Sequence, residues 1–451
     1  MFLELRLLLP VISLCKSGLV FFAFIFFAGS GCTLAAFPSD SAACIYPFSD
    51  AETFVLQSSH VDTIAYELSL KHSFAGAENN LISDSTKKLY PFFEKLRNLR
   101  RAGSAGSSAQ TVSIVHIGDS HVQADFKPGT VRKLMQLYFG NAGRGLIAPL
   151  KIAKTNGAGN YRISSDSKWD VARLVKSGGI PIGLTGLALR VADTIAQLNV
   201  STIDESFYGE WAFNRINAIY ELSKSSASIA DSLIISRDTL GPYGESFLLK
   251  HPVSNIDVSF SSSSESGQIS FFGFDLSNGK NGVIYHSIGI NGAQYSDFKR
   301  EELLCRQLAY LKPDLIIVSL GTNEAYAKTL NRNFSNDVFD LVFSMMEYSP
   351  EAAVLLATPP ETYKRYARNK RAPNHLAGEV RQAIENYALT YGCPYWDMYK
   401  ATGGKGSALQ WNKKKLLVKD GVHFTKEGYE FQGELLFQAL IRAYNQYIKD
   451  R

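Results

Sequence analysis

Cysteine is scarce in this sequence: five in 451 residues, at positions 15, 32, 44, 305 and 393. The first two fall in an N-terminal apolar segment, and the other three cannot all pair with one another. Spacing this wide excludes a disulfide framework and any C-x-x-C metal site, so the fold must hold without covalent staples. Cys305, in an apolar helical pattern, and Cys393, at a strand start, read as buried free thiols. A large excess of charge of one sign is also lacking. A net charge of +5 and the lack of any recognition motif exclude the dense basic surface of a nucleic-acid binder.

What is present in quantity is chain length and apolar content, enough for two cores. Aromatics at 12%, with 22 Tyr, favour a carbohydrate-facing or β-rich component. Residues 1–36 read as a targeting segment: Arg6 and Lys16 precede the apolar run from Leu19 to Ala28, and small residues follow. Export to the periplasm or outer cell envelope is the expectation. Gly29-Ser30-Gly31-Cys32 resembles a bacterial lipoprotein cleavage box, although Gly29 stands where a larger apolar residue is usual. Membrane anchorage, through an uncleaved N-terminal segment or a lipid on Cys32, is the alternative to a cleaved signal.

Residues 37–110 read as an N-terminal helical extension, helical in pieces from Ala51 and ending in Asp84–Arg100, with Ala102–Ala109 as a flexible connection. Thr111–Asp125 then carries a buried strand (Val112, Ile114, Val115, Ile117) that stops at Gly118-Asp119-Ser120. A serine at the carboxyl end of a strand faces the crevice where open α/β sheets bind ligands, which makes Ser120 a candidate nucleophile. A helix after Pro128 follows, and 111–154 forms the first part of an α/β domain. From 155 to 281 short alternating runs (Ile182–Arg190, Ser246–Lys250, Ile256–Phe260, Gln268–Phe274) indicate an inserted all-β domain of sandwich or jelly-roll type, with Trp211–Ser223 as its one candidate helix. The α/β rhythm resumes over 282–451: helix Tyr295–Tyr310, strand Asp314–Leu320, helix Asn336–Tyr348, strand Ala353–Thr358, helix His375–Tyr391, strand Pro394–Met398 and a final helix from Thr425. Parallel strands joined by helices give a doubly wound sheet interrupted once by a β module.

His423 lies just before the last helix, three residues after Asp420. An imidazole can take a serine proton, and a carboxylate beside it fixes the tautomer and stabilises the imidazolium. Activity should then rise with pH as the imidazole loses its proton. Acyl transfer also needs oxyanion donors, which the Asn323 side chain and the Gly292 backbone N–H offer. His116 reads as a core histidine bonded to a neighbour; His121 begins the helix after the nucleophile and is given no role in proton transfer. Two basic runs, Lys364, Arg365, Arg368, Lys370 and Arg371, and Lys413, Lys414, Lys415 and Lys419, should rim the same edge.

Taken in order, Gly118-Asp119-Ser120, Gly292, Gly321-Thr322-Asn323 and Asp420 with His423 resemble the four blocks of the SGNH (GDSL-like) hydrolase superfamily. The first block reads G-D-S-H. With the long β insert, this looks like the bacterial peptidoglycan O-acetylesterases. The resemblance implies a three-layer SGNH fold and a cofactor-free, metal-free Ser120–His423–Asp420 esterase. Ser120, Gly292 and Asn323 would form the oxyanion hole, and the substrate would be an acetylated polysaccharide, peptidoglycan foremost. Xylan-type acetyl esterase, extracytoplasmic O-acetyltransferase and a non-catalytic glycan-binding surface protein are the alternatives. Both ends of the insert should return to the catalytic edge, with Tyr161, Trp169, Tyr208, Trp211 and Tyr243 as possible sugar platforms. Replacing the insert by a short bridge should spare small-ester hydrolysis.

Overall fold

The structure is a computed structural model that describes residues 63–68, 72–102, 109–204, 211–262, 268–367 and 370–451. The targeting segment 1–36 with Cys15 and Cys32, together with Cys44, Tyr208, Arg368 and most of the Ala102–Ala109 connection, lies outside these residues. Among the described residues no helix is long and apolar enough to cross a membrane.

Six strands form the central sheet: β1 (Ile82–Ser83), β2 (Thr111–Gly118), β3 (Gly282–Gly289), β4 (Leu315–Ser319), β5 (Ala353–Ala357) and β6 (Tyr395–Trp396). Their spatial order is β1-β6-β5-β4-β2-β3, parallel throughout except for β1, which adds antiparallel to the β6 edge. Part of the expected helical extension is thus an edge strand. β2 is buried along almost its whole length, as a strand covered on both faces must be. Its alternate residues feed two cores. Val112 and Ile114 pack with helices α1 (Tyr90–Ala102), α3 (Phe126–Phe139) and α6 (Lys426–Lys449). Val115 and Ile117 pack with α4 (Phe334–Tyr348) and α5 (Leu376–Tyr391) on the other face. This is a three-layer α/β arrangement. The chain order reverses at β2, with β3 on one side and β4 on the other, so the crevice at the carboxyl end of β2 is the switch point of the sheet.

Several segments depart from the expected pattern. Trp211–Ser223 is not helical: Phe213–Tyr220 is a strand, whose Ile216, Ala218 and Tyr220 alternate into the β core. Tyr295–Tyr310 is broken into helices Tyr295–Lys299 and Glu302–Leu308. Cys305 is buried, whereas Cys393 is half-buried with its thiol donating to the Val354 carbonyl (3.2 Å).

Antiparallel strands begin at Gly145, ahead of residue 155. One sheet runs 234–239, 244–253, 213–220, 269–277, 187–191, 170–173, with 145–147 also paired to 269–277. A second runs 161–164, 195–202, 255–262, 225–228, and the two share a core that includes Leu198, Val258, Phe260, Phe271 and Phe274. This β part is not an appendage. Leu146, Leu174, Leu184, Leu187 and Phe272 belong to the same buried cluster as Ile288, Ile290, Phe298 and Leu304 of the α/β part. Begun at Gly145, it leaves and rejoins the sheet at the amino end of β3, where Asn141 bridges Val283; of the expected ends, Thr155 does lie at the carboxyl edge, bonded to Gln123, but Asn281 lies at the amino end. What reaches the carboxyl edge is the loop around Asn156.

Three of the five aromatics expected as sugar platforms are used in packing. Trp169 is in the β core with its indole N–H donating to Ser165 Oγ (2.9 Å). Trp211 is fully buried, and Tyr161 is bonded to the Ala148 carbonyl and lies against Arg144. Tyr243 is half-buried beside Tyr310.

Candidate active site

β2, β3 and β4 end level, with Gly118 in register with both Gly289 and Ser319. A Cβ on Gly118 would lie 2.4 Å from Val122 Cγ2 and 2.7 Å from the Ser319 carbonyl oxygen, so the turn closes only with glycine there. Asp119 then caps the short helix α2 (Ser120–Gln123), its Oδ1 accepting from His121 N–H at 2.9 Å. This cap fixes Ser120 at the first helical position, facing the crevice.

His423 Nε2 stands 2.8 Å from Ser120 Oγ, and His423 Nδ1 stands 2.7 Å from Asp420 Oδ2. With Nδ1–H donating to the carboxylate, Nε2 is left to accept the serine hydroxyl. Asp420 Oδ1 takes the backbone N–H of Val422 (2.7 Å) and His423 (2.9 Å), which makes the Asp420–His423 turn rigid. Burial would raise the Asp420 carboxyl, but the His423 ring and these two amides outweigh it and hold it below the usual carboxylate range. His121 backs the His423 ring at 5.4 Å between centroids. Its Nδ1 pairs with Tyr429 Oη (3.0 Å), and burial keeps it neutral by pushing its pKa well down. His116 is a core residue, held between Tyr285 Oη and Ser319 Oγ, both at 2.8 Å.

The expected oxyanion donors converge on the same crevice, in a particular state. Among the described residues neither the Ser120 nor the Gly292 amide donates to a protein group. Gly292 has φ +83°, while an added Cβ would meet nothing within 4 Å, so glycine is needed here for its backbone conformation. Asn323 follows Gly321 (φ +114°), and its Nδ2 donates to the Ala293 carbonyl (2.9 Å) and to Asp119 Oδ2 (3.2 Å). Both amide hydrogens are thus engaged, the longer bond being the one to release for an oxyanion.

Asp119, Gln123, Asn156, Asn291 and Glu324, at this edge, were given no role from sequence. Asp119 is buried and pushed up to about 6, chiefly by burial. Gln123 bridges three segments: its Oε1 accepts from Asn291 N–H (2.8 Å) and its Nε2 donates to Thr155 Oγ1 (2.9 Å) and to the Asn156 carbonyl (2.8 Å). Asn291 Nδ2 closes the ring on Asn156 Oδ1 (2.9 Å). The loop of the β part therefore holds the Gly292 turn from behind. Glu324, buried beside Asn323 and pushed up to about 7 by burial, ties that turn to the 295 helix through Tyr295 N–H (2.8 Å). No local pattern announces these bonds. They depend on loops distant in sequence meeting at one edge.

The crevice is a cavity of about 620 Å³, lined by Ser120, His423, Asn156, Asn291, Gly292 and Asn323 with Phe126, Tyr326, Phe424 and Tyr429. Among the described residues no group of His, Cys, Asp or Glu is arranged to hold a metal.

Residues 263–431 match the family model of the GDSL-like lipase/acylhydrolases, a span that holds Gly292, Asn323, Asp420 and His423. Ser120 lies outside it, separated by the β part. No curated protein matches the chain. Among solved structures, a peptidoglycan O-acetylesterase superposes with TM-score 0.65 at 20% identity, covering 81% of this chain and 99% of its own. A lipase/acylhydrolase from Enterococcus faecalis covers 36% of this chain and 77% of its own at 24% identity and TM-score 0.28. A carbohydrate esterase family 3 protein from Talaromyces cellulolyticus covers 36% and 72% at 20% identity and TM-score 0.28. The chain carries the SGNH hydrolase fold and, over residues 263–431, resembles the GDSL-like lipase/acylhydrolase family.

Proposed function

We propose that this protein is an exported carboxylic ester hydrolase that removes O-acetyl groups from a polysaccharide, peptidoglycan foremost. The observation that carries the reading is the continuous relay Ser120 Oγ–His423 Nε2 (2.8 Å) and His423 Nδ1–Asp420 Oδ2 (2.7 Å) at the floor of an open cavity. Export, to the periplasm or outer envelope, rests on the N-terminal pattern of Arg6, Lys16 and the apolar run Leu19–Ala28, with the membrane tie through that segment or Cys32.

In this reading Ser120 Oγ attacks the acetyl carbonyl carbon as its proton passes to His423 Nε2, and Asp420 stabilises the imidazolium. The oxyanion faces the free amides of Ser120 and Gly292 and an Asn323 side chain that gives up its longer bond to Asp119. Collapse expels the sugar oxygen, which takes the proton from His423. Water then gives its proton to His423 as its oxygen attacks the acyl carbon, and acetate leaves with Ser120 restored. The neutral His121 ring beside His423 adds no like charge when the imidazolium forms.

Acetate release should be measured in parallel on O-acetylated peptidoglycan, acetylated xylan and a small acetyl ester, with wild type and Ser120→Ala. Wild type should release acetate from peptidoglycan fastest, and Ser120→Ala should release none while keeping its circular dichroism spectrum. Wild-type-like rates in the variant would overturn the assignment of the nucleophile, and a faster rate on xylan would overturn the substrate.

A further inference from the structure

After β5 the chain makes a two-stranded antiparallel hairpin, Tyr363–Ala367 with Lys370–Pro373, that among the described residues pairs with no other sheet. Its sequence from 363 to 373 holds Lys364, Arg365, Arg368, Lys370 and Arg371 and no acidic residue, a charge equal to the +5 of the whole chain. Arg365 stands directly opposite Arg371 in the ladder, a like-charge pair that costs stability. Among the described residues none of Lys364, Arg365, Lys370, Arg371 and the neighbouring Lys419 has a carboxylate within ion-pair distance. The ladder slips between Arg365 and Ala367, so Tyr366 has no cross-strand partner and is 67% exposed. Lys364 and Arg371 are held only by backbone carbonyls, of Ala325, Ala327 and Lys419, and a like-charge cost that no carboxylate offsets marks a surface kept for a ligand.

The hairpin is seated on the catalytic turn. Tyr363 N–H donates to the Gly421 carbonyl (2.7 Å), between Asp420 and His423, and Arg371 donates to the Lys419 carbonyl. Tyr326, which lines the cavity, donates its hydroxyl to the Tyr363 carbonyl (2.8 Å). The base of the hairpin, at Tyr363 and Arg371, thus adjoins the cavity-lining Tyr326 and the turn that carries His423.

We infer that this hairpin is a docking subsite for a carboxylate-bearing glycan chain, which it holds by its charges while an acetyl group on the same chain reaches Ser120. The inference rests on the ester-hydrolase reading and adds the charge class of the polymer. Arg forks match carboxylates, aromatic faces match sugar rings, and a field of one sign beside a cleft concentrates an oppositely charged substrate. The carboxylates can sit on the sugars or on peptide substituents.

The test compares kcat/KM on acetylated polygalacturonate, acetylated peptidoglycan and neutral acetylated glucomannan at low and high NaCl, with p-nitrophenyl acetate as the small ester. Variants should be Arg365→Gln with Lys370→Gln, and Arg365→Glu with Lys370→Glu, since these two exposed side chains bond no residue of the catalytic turn. Wild type should prefer both anionic polymers by roughly tenfold at low salt, and the preference should shrink at high salt as the charges are screened. The Gln pair should lose most of that preference through KM, the Glu pair should reverse it, and p-nitrophenyl acetate should stay within about twofold. An anionic preference confined to peptidoglycan would place the recognised carboxylates on the peptides. No anionic preference in wild type, or one untouched by the variants, overturns the inference. Should wild type hydrolyse none of the esters, the esterase reading falls instead. Calorimetric titration of Ser120→Ala with unacetylated polygalacturonate then still reads the subsite, expected to bind and to lose binding with the Glu pair; no binding overturns it.

Discussion

Gln123 has no part in bond making, yet its amide joins the nucleophile helix, the Asn156 loop and the peptide before Gly292. Truncation should let the Gly292 amide drift from the oxyanion position. Gln123→Ala is expected to lower kcat on a small acetyl ester by roughly 10- to 100-fold with KM nearly unchanged, the signature of a contact felt in the transition state. A change confined to KM would show that Gln123 serves substrate binding alone. Asn323→Ala should cost on the order of 10²-fold in kcat, the usual scale for one oxyanion donor. Because Asn323 also donates to the Ala293 carbonyl and to Asp119, its loss should be accompanied by some loss of stability, read as a lower urea midpoint. The residues legible in the sequence were those with a local grammar: a serine after a Gly turn at a strand end, and an Asp and His three apart before a helix. Gln123 and Asn156 were silent because each acts through partners that only the fold brings near.

At the scale of elements, close backbone approach decides what substitutes. A Cβ on Gly289 would lie 2.1 Å from the Gln123 backbone nitrogen, so β3 and α2 can touch only with glycine at the end of β3. Gly289→Ala should therefore destabilise by about 3 kcal/mol or more and separate the oxyanion loop from the nucleophile, seen as a lower urea midpoint with lost esterase activity. Gly292, where an added Cβ would meet nothing within 4 Å, should tolerate alanine sterically, at the cost of its positive φ alone. Long elements with strong periodicity, such as β2, β4, α5 and α6, were readable to within a few residues. The 363–373 hairpin was seen only as a basic run, because short exposed strands carry no apolar alternation. The helix expected over Tyr295–Tyr310 breaks near Arg300 and Glu301, where the chain turns to present Phe298 and Leu304 to one core.

For the whole molecule the joint between its α/β and β parts is partly ionic. Asp125 takes both Nη atoms of Arg132 (2.8 Å each), Arg144 Nη2 (2.9 Å) and Ser287 Oγ (2.8 Å), while Arg144 Nε donates to Asn160 (2.9 Å). Burial opposes the charge, but Arg132 and Arg144 prevail and hold the Asp125 carboxyl at about 2. The folded pKa lies below the unfolded value, so the stabilisation is present above about pH 4 and is lost as pH falls toward 2, amounting to about 2 kcal/mol. Asp125→Asn should flatten that part of the pH–stability curve. Asp125→Ala, which removes the carboxylate between two buried guanidiniums, should cost about 3–5 kcal/mol in urea unfolding. The shared apolar cluster also changes what truncation should do. Bridging out residues 155–281 should give an aggregating protein without small-ester activity, since Ile288, Ile290 and Leu304 lose their cover. Recovery of a monomeric, active truncation would show that the α/β part stands alone.

The position of β2 also sets the timing of assembly. Both of its sheet neighbours, β3 and β4, follow the β part in sequence, and the bond from Gln110 to Asn281 at the foot of β2 and β3 spans 171 residues. At roughly 5–20 residues per second of synthesis, the strand that bears Ser120 waits on the order of ten seconds or more for its first partner. During that interval Val112, Ile114, Val115 and Ile117 have no sheet to join, so the chain cannot complete its centre from the N-terminus onward and the nucleophile is among the last groups to find its place.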